Sequence, residues 1–240
     1  MNNKTKITIV TVTYNCVNSI QNTIESIKKQ TYPNIEYIIK DGGSIDGTLE
    51  IIKNYQIDLF ESCKDSGIFN AMNRAIELAT GDWIIFINSG DCLFDENVIE
   101  NIFDNEYNGN VGVIYGNTLT SEGQLKDVPF FLNKKRFKQM GICHQSLFVR
   151  TDLAKKFMFD ESYKVAADYN MIMNIYKCGY EFVSKDIFVS TYDLYGFSEV
   201  NRILQMKEEA RICDAEHSLS FYFALLRELL KICIKKMIKK

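Results

Sequence analysis

Four aspartates stand where a carboxylate could bind a ligand or accept a proton. Asp41 and Asp65 each follow a strand-like run, Asp91 follows the polar segment 88–90, and Asp168 opens a helical pattern. A carboxylate at a strand end can accept hydrogen bonds from a ribose or a base N–H. A carboxylate at a helix start can act as a general base. Taken singly, these residues also suit turns and helix caps, so both interpretations stay open.

His144 and Gln145 form a further polar pair in front of a predicted strand. A single histidine is more often structural than catalytic. Its titration near neutral pH nevertheless suits contact with an acceptor or a phosphate, which is the alternative interpretation.

Strand and helix patterns alternate through the first half of the chain. The predicted strands span 7–13, 35–40, 57–61 and 83–87. Helical spacing of apolar residues lies between them. This alternation predicts an α/β fold with a mixed, mostly parallel central sheet flanked by helices. Ligands of such sheets bind beyond the carboxyl ends of the strands, where polar residues cluster in this sequence.

The second half of the chain is less regular. Its predicted strands span 111–115, 146–149 and 181–191, and its predicted helices span 167–178 and the region from 199 to the end. We therefore expect one domain over residues 1–198 and an amphipathic helical extension over residues 199–240. The lysine-rich extension could pack on the core or on a second copy of the chain. It could equally lie on an anionic membrane surface.

Composition narrows the class of protein. The 240 residues are 46% hydrophobic and 25% charged, which excludes collagen-like and disordered chains. A net charge of -3 gives no overall attraction to a polyanion, so we expect no nucleic-acid partner. Seven scattered cysteines favour a reducing cytosol over a disulfide framework. With no signal-peptide pattern and no membrane-spanning apolar stretch, we expect a cytoplasmic protein.

The common glycine-rich nucleotide motifs are absent from the sequence. The first strand ends without the G-x-G-x-x-G that lets a backbone approach a pyrophosphate, and no G-x-x-x-x-G-K-[ST] occurs. We therefore expect side chains, rather than a glycine-rich loop, to hold any nucleotide.

Several motifs together resemble one enzyme family. They are T-V-T-Y-N at 11–15, D-G-G-S-I-D-G-T at 41–48, D-S-G-I-F-N-A-M-N-R-A at 65–75 and G-D-W-I-I-F-I-N-S-G-D at 81–91. In order and spacing they resemble family-2 glycosyltransferases of the GT-A fold, of the type found in bacterial polysaccharide biosynthesis. The resemblance covers Lys6 to about Tyr195. It implies an inverting transfer from a nucleotide diphosphate sugar, a UDP-sugar above all, to a glycan or lipid-linked acceptor, with Mn²⁺ or Mg²⁺.

The resemblance also assigns roles to individual residues. It implies Asp168 as the catalytic base, Asp91 as the metal ligand, and contacts of His144 and Gln145 with acceptor or phosphate. It implies a closing loop over the donor at 195–198. The residues implied to bind the nucleotide sugar are Thr13, Tyr14, Asp41, Asp65, Asn73, Arg74, Asn88 and Ser89.

The metal motif departs from the family pattern. Asn88 and Gly90 stand where the family often has carboxylates, which leaves Asp91. One carboxylate can suffice, because Mg²⁺ is often held by one or two carboxylates together with phosphates and water. We therefore expect the metal to be recruited together with the nucleotide.

Two alternative functions remain open. A nucleotidyltransferase would also use a nucleotide-binding α/β sheet and a metal, although its glycine-rich basic loop is missing after the first strand. A catalytically silent nucleotide-sugar-binding scaffold would explain Asn88 and Gly90. The presence of Asp91 and Asp168 argues against that scaffold.

Overall fold

The structure is a computed structural model that describes residues 4–120, 123, 125–126, 143–192 and 201–238. Its first four strands are β1 (Ile7–Thr13), β2 (Ile35–Asp41), β3 (Leu59–Ser62) and β4 (Trp83–Phe86). They pair in parallel in the order β3-β2-β1-β4. The parallel sheet predicted for the first half of the chain is confirmed.

Three helices connect these strands: α1 (Ile20–Lys28), α2 (Thr48–Ile52) and α3 (Ile68–Leu78). Side chains of β1 alternate between the two faces of the sheet, as the pleat requires. Val10 and Val12 belong to the core cluster that includes α3, whereas Ile7 and Ile9 belong to the cluster that includes α1. Burial on both faces explains the unbroken Ile, Val and Thr run of β1.

The second half completes a nine-stranded mixed sheet. Its strands are β5 (Cys92–Leu93), β6 (Val111–Thr120), β7 (Leu125–Lys126), β8 (Leu147–Arg150) and β9 (Glu181–Tyr192). The order continues β4-β8-β6-β9-β5, and β7 pairs with β6. Strand β8 runs antiparallel to both β4 and β6, while β6 and β9 are parallel.

Helices cover this half of the sheet as well. They are α4 (Val98–Ile102), α5 (Thr151–Phe157) and α6 (Ala167–Lys177), with a 3₁₀ turn at His144–Ser146 before β8. The short elements β5, α4 and α5 were not predicted, because so few residues show no clear period.

Residues 201–238, the described part of the C-terminal region, contain two helices, α7 (Arg202–Ile212) and α8 (Leu219–Ile238). Ile212 of α7 packs against Tyr169 and Met173 of α6, and Phe221 of α8 packs against Met206 of α7. The predicted domain boundary at 198 and the predicted loop at 195–198 lie outside the described residues. Among the helices of the described ranges, none has both the length and the apolar character that crossing a bilayer demands.

Candidate functional site

A cleft of about 350 Å³ opens beyond the carboxyl end of β4. Most of its polar lining comes from the segment 88–91, from the 3₁₀ turn and from the first turn of α6, and Ser19 and Tyr192 complete it. The structure thus brings together six of the residues predicted to contact the nucleotide sugar, the metal or the acceptor or to accept the proton: Asn88, Ser89, Asp91, His144, Gln145 and Asp168.

Hydrogen bonds from α1 fix the backbone of the segment 88–91. Thr23, which is fully buried, donates its hydroxyl to the carbonyl of Asp91 at 2.8 Å and accepts the N–H of Gly90 at 3.1 Å. Gly90 has a φ of 105°, in the left-handed region that favours glycine. A carboxylate at position 90 would therefore strain this turn, which gives a physical reason for the glycine.

Asp91 is 7% exposed, and its Oδ2 atom accepts a hydrogen bond of 3.1 Å from Nε2 of Gln145. This bond ties the 3₁₀ turn to the segment 88–91. Gln145 is itself 4% exposed. The prediction that Gln145 touches an acceptor or phosphate remains untested, and the contact observed is with the carboxylate.

His144 contacts the base candidate on one side and the segment 88–91 on the other. Its Nδ1 atom lies 3.6 Å from Oδ2 of Asp168, and its Nε2 atom lies 3.1 Å from Nδ2 of Asn88. Burial lowers the pKa of His144, but the hydrogen bond and charge of Asp168, with the charge of Asp91, outweigh burial and raise it. The cleft therefore favours a protonated imidazole over a wider pH range than water does.

Asp168 lies in the first turn of α6 but is not its N-cap, since that position belongs to Ala166. Its Oδ1 atom accepts the N–H of Tyr169 at 2.7 Å. The segment before α6 is held instead by Glu208 of α7, whose carboxylate accepts the N–H groups of Lys164, Val165 and Ala166 at 2.8, 2.9 and 2.9 Å. Asp168 is thus not required as a cap, and its side chain faces the cleft.

Four of the residues predicted to bind the nucleotide sugar lie at or just after the ends of β1, β2 and β3: Thr13, Tyr14, Asp41 and Asp65. Thr13 pairs in register with Asp41 across the two strands. Tyr14 is 62% exposed, and both Tyr14 and Asp65 approach Gly42, whose missing Cβ would come within 2.8 Å of Asp65 and 3.4 Å of Tyr14. Tyr14 and Asp65 therefore form a rim, and Gly42 leaves room for both side chains.

Asp41 holds its own loop together. Its carboxylate accepts hydrogen bonds from the Ser44 and Ser62 hydroxyls and from the N–H groups of Gly43 and Ser44. Burial would raise the pKa of Asp41, but these hydrogen bonds outweigh burial and lower it. Asp41 stays ionised and shapes the loop beneath the rim.

Asn73 and Arg74 do not line the cleft. The side-chain amide of Asn73 exchanges two hydrogen bonds with the backbone of Phe159, at 2.9 and 2.8 Å. Arg74 forms ion pairs with Glu61 at 3.3 Å and Glu77 at 3.0 Å. Both side chains are committed to protein partners in the structure.

Three buried oxygen atoms near the strand ends lack a hydrogen-bond partner within the described part of the chain. They are Thr13 Oγ1, Asn88 Oδ1 and Ser89 Oγ. Buried polar atoms normally have partners, so these atoms indicate a place for a ligand. Asn88 Oδ1, Ser89 Oγ and the Asp91 carboxylate form an oxygen set of the kind that Mg²⁺ and Mn²⁺ accept.

The sequence reasoning missed the residues that position the site. Thr23 orders the segment 88–91, and Glu208 anchors the start of α6. No local spacing reveals either residue, because each acts on a segment more than 40 positions away.

Solved structures share this architecture. TarS from S. aureus in complex with UDP-GlcNAc matches with a TM-score of 0.66 at 20% identity, covering 91% of this chain and 73% of the TarS chain. The mannosyltransferase PcManGT from Pyrobaculum calidifontis, in complex with GDP-Man and Mn²⁺, matches with a TM-score of 0.70 at 16% identity, covering 93% and 73%. These similarities establish the GT-A fold.

Sequence comparisons give the family. The PGL/p-HBAD biosynthesis glycosyltransferase of Mycobacterium tuberculosis is 30% identical over 171 residues. The match covers 68% of this chain and 66% of the relative, so the chain spans slightly less than two thirds of that protein's length. The sequence model described as Glycosyl transferase family 2 matches residues 8–159. Since this match covers more than half of the chain, the protein belongs to glycosyl transferase family 2.

Proposed function

We propose that the protein transfers a sugar from a nucleotide diphosphate sugar to a hydroxyl group with inversion at the anomeric carbon. The observation that carries this proposal is the placement of Asp168 and Asp91 in one cleft, each contacted by one residue of the 144–145 pair. One carboxylate can take the proton from the acceptor hydroxyl, and the other can help to hold a metal ion beside the departing diphosphate. Solved relatives by fold carry UDP-GlcNAc and GDP-Man, which supports a nucleotide-sugar donor, with a UDP-sugar as our first choice.

In the proposed reaction, Asp168 removes the proton from the acceptor hydroxyl as general base. The acceptor oxygen forms a bond to the anomeric carbon while the bond from that carbon to the diphosphate oxygen breaks, and the electron pair leaves with the nucleoside diphosphate. A single displacement of this kind inverts the anomeric centre. His144 orients the Asp168 carboxylate before the proton moves.

Asp91, Asn88 Oδ1 and Ser89 Oγ are the groups that would hold Mn²⁺ or Mg²⁺ together with the diphosphate. When bound, such an ion neutralises charge on the departing diphosphate. Of the histidines, cysteines and carboxylates in the described ranges, no three come together as a metal site. The proposal is therefore that the ion binds tightly only with nucleotide present.

The rim of Tyr14 and Asp65 and the partnerless hydroxyl of Thr13 are proposed to receive the nucleoside. The acceptor is proposed to be a glycan or a lipid-linked saccharide of surface polysaccharide synthesis. That role has its basis in the family resemblance and in the character of α8, which is suited to a lipid-bearing surface.

Helix α8 is proposed to place the enzyme on the cytoplasmic face of an anionic membrane. Its exposed apolar side chains share one side of the helix: Leu219, Tyr222, Phe223, Leu226, Leu229, Leu230 and Ile234. Residues 219–240 contain six basic residues and one acidic residue, whereas the remainder contains 22 basic and 30 acidic residues. Two copies of this net basic segment would repel each other, which favours anionic lipid over a second copy of the chain.

A screen of nucleotide sugars tests the proposed function. Hydrolysis of one donor, dependent on Mn²⁺ or Mg²⁺ and releasing nucleoside diphosphate, is the expected result. Release of pyrophosphate would identify a nucleotidyltransferase instead. Donor binding without turnover, in the presence of metal and a broad acceptor mixture, would identify a silent binding protein.

A further inference from the structure

The cleft has a polar mouth and a deep apolar part, which we call the apolar floor. The floor lies between α3, β4, β8, α5 and α6, and its walls include Met72, Phe86, Val149, Ala154, Met171 and Ile172. Each of these six side chains is at most 7% exposed. Within the described residues, every side chain that these five elements contribute to the cleft is apolar, apart from Asp168 itself.

The floor begins directly beneath the proposed base. Met171 and Ile172 follow Asp168 by three and four residues in α6, and all three line the cleft. Residues with this spacing lie on the same face of a helix, one turn apart. A molecule whose hydroxyl reaches Asp168 can therefore place its neighbouring atoms against Met171 and Ile172.

The apolar side chains of the floor determine which kind of chemical group can bind there. Hydroxyl groups of a sugar would lose their hydrogen bonds to water there and find no replacement from these side chains. A hydrocarbon or aromatic group would gain from leaving water. An ordinary packing defect is also a poor explanation, since protein interiors rarely leave voids larger than a water molecule. An apolar cavity of about 150 Å³ already binds benzene, and the whole cleft, with its polar mouth included, has a volume of about 350 Å³.

We propose that the apolar floor is an acceptor subsite for an aromatic or hydrocarbon group attached close to the reactive hydroxyl. This inference rests on the proposed function for the role of Asp168. Of the two acceptor classes proposed above, the floor thus favours a lipid-linked saccharide or glycoside whose apolar group lies close to the reactive hydroxyl over a glycan with polar groups on every side.

Histidine NMR can report occupation of the floor, because the chain has only two histidines. His144 lines the mouth of the cleft, and His217 is exposed in the turn before α8. Benzyl alcohol is the probe, with glycerol as a hydroxyl compound that lacks an apolar group. We expect benzyl alcohol to shift the ring signals of His144 but not those of His217, and glycerol to shift neither.

Ala154→Leu adds atoms to the wall of the floor that α5 forms and leaves every polar residue of the mouth unchanged, and Ala154→Val is a milder version. Both should weaken benzyl alcohol binding, by about five-fold or more for Leu, without lowering the melting temperature. Ala75→Leu is the matched control: Ala75 is fully buried in α3 but does not line the cleft, so the added atoms should lower the melting temperature.

Two results would overturn the subsite: no shift of His144 with benzyl alcohol, or an equal shift and affinity in both Ala154 variants. Failure of the proposed function would look different. Donor hydrolysis would then be absent in the wild-type protein, while the NMR response to benzyl alcohol, measured without donor, would persist.

Discussion

The Nδ1 atom of His144 lies 3.6 Å from Oδ2 of Asp168, and through this contact the 3₁₀ turn reaches the first turn of α6. The next residue, Gln145, donates to Asp91 at 3.1 Å. Two consecutive residues thus contact the two carboxylates of the cleft. A displacement of this turn would move both the proposed base and the proposed metal ligand, so we expect mutations here to affect both functions.

Asp168→Asn should lower kcat by about 10²–10⁴-fold, the usual effect of losing a general base. Asn keeps an oxygen that can accept the N–H of Tyr169, so the fold and donor affinity should be nearly unchanged. Turnover and donor binding are measured on the same preparation. Asp160→Asn, an exposed aspartate in a turn, is the control and should have wild-type activity. Near wild-type kcat in the Asp168 variant would place the base elsewhere, with His144 tested next.

NMR of the product anomer completes this test, because a single displacement requires inversion. Retention of the donor's configuration would exclude the proposed reaction even if Asp168 were essential.

His144→Gln should destabilise the protein in a pH-dependent manner. The pKa of His144 is raised in the folded protein because the Asp168 and Asp91 carboxylates outweigh burial. Its stabilising contribution is therefore complete below the unfolded value of about 6.5 and is lost as the pH rises through the folded value. The difference in melting temperature between wild type and variant should be largest near about pH 5.5 and shrink towards about pH 9. His217→Gln is the control, and a difference independent of pH would contradict this account.

Asp91→Asn should weaken metal-dependent donor binding by about 100-fold or more, since loss of a mere supporting partner of a metal ligand already costs 10–100-fold. Calorimetry of Mn²⁺ with and without nucleoside diphosphate measures this effect. The exposed Asp95→Asn serves as control. Tight Mn²⁺ binding to the nucleotide-free wild-type protein would contradict recruitment by the nucleotide.

The sequence predicted the parallel half of the sheet well, because strands buried on both faces carry unbroken apolar runs. Strand β1 matches its predicted bounds, and α6 differs from its prediction by one residue. The position of β8 between β4 and β6 could not be predicted, since local patterns do not encode which strands pair. The grouping of Asp91, His144 and Asp168 followed from motif resemblance rather than from spacing.

The partners of the predicted residues were less predictable. Asp41 was predicted to bind nucleotide, yet its carboxylate accepts four hydrogen bonds from its own loop and from Ser62. Asp168 could have been a helix cap, but Glu208, 42 to 44 residues away, holds that segment. Such contacts depend on tertiary packing and leave no local sequence pattern.

Glu36→Gln should destabilise the amino-terminal edge of the sheet by about 1.5–3 kcal/mol, the range for hydrogen bonds to a charged group. Glu36 pairs with Lys6 at 2.8 Å and accepts hydrogen bonds from Thr8 and Thr80. Burial raises the pKa of Glu36, but these contacts outweigh it and lower the pKa from 4.5 to about 2. The stabilisation is therefore present above pH 4.5, the ordinary pKa of the group, and is lost as the pH falls through about 2.

Chemical denaturation at neutral and acidic pH measures the Glu36 effect. On acidification, the free energy of unfolding of the wild type should fall towards that of the variant. Glu77→Gln is the control, because Glu77 is an exposed partner of Arg74 and should contribute little. If the difference in free energy of unfolding between wild type and variant is unchanged at acidic pH, the charge of the carboxylate is not what stabilises this edge.

Replacing Phe223 and Leu230 of α8 together by Ser should reduce binding to anionic vesicles. Both side chains are exposed, at 72% and 54%, so their removal should not unfold the domain. The measurement is sedimentation with vesicles of phosphatidylglycerol and phosphatidylcholine, against vesicles of phosphatidylcholine alone. Leu204→Ser, an exposed apolar residue of α7, is the matched control.

Lys231→Gln should weaken binding by about five-fold, because a basic residue near an anionic surface contributes about 1 kcal/mol. Equal partitioning of all variants would exclude membrane docking by this face. A dimer in vesicle-free solution that the Phe223 and Leu230 double variant dissociates would assign the face to a second copy of the chain.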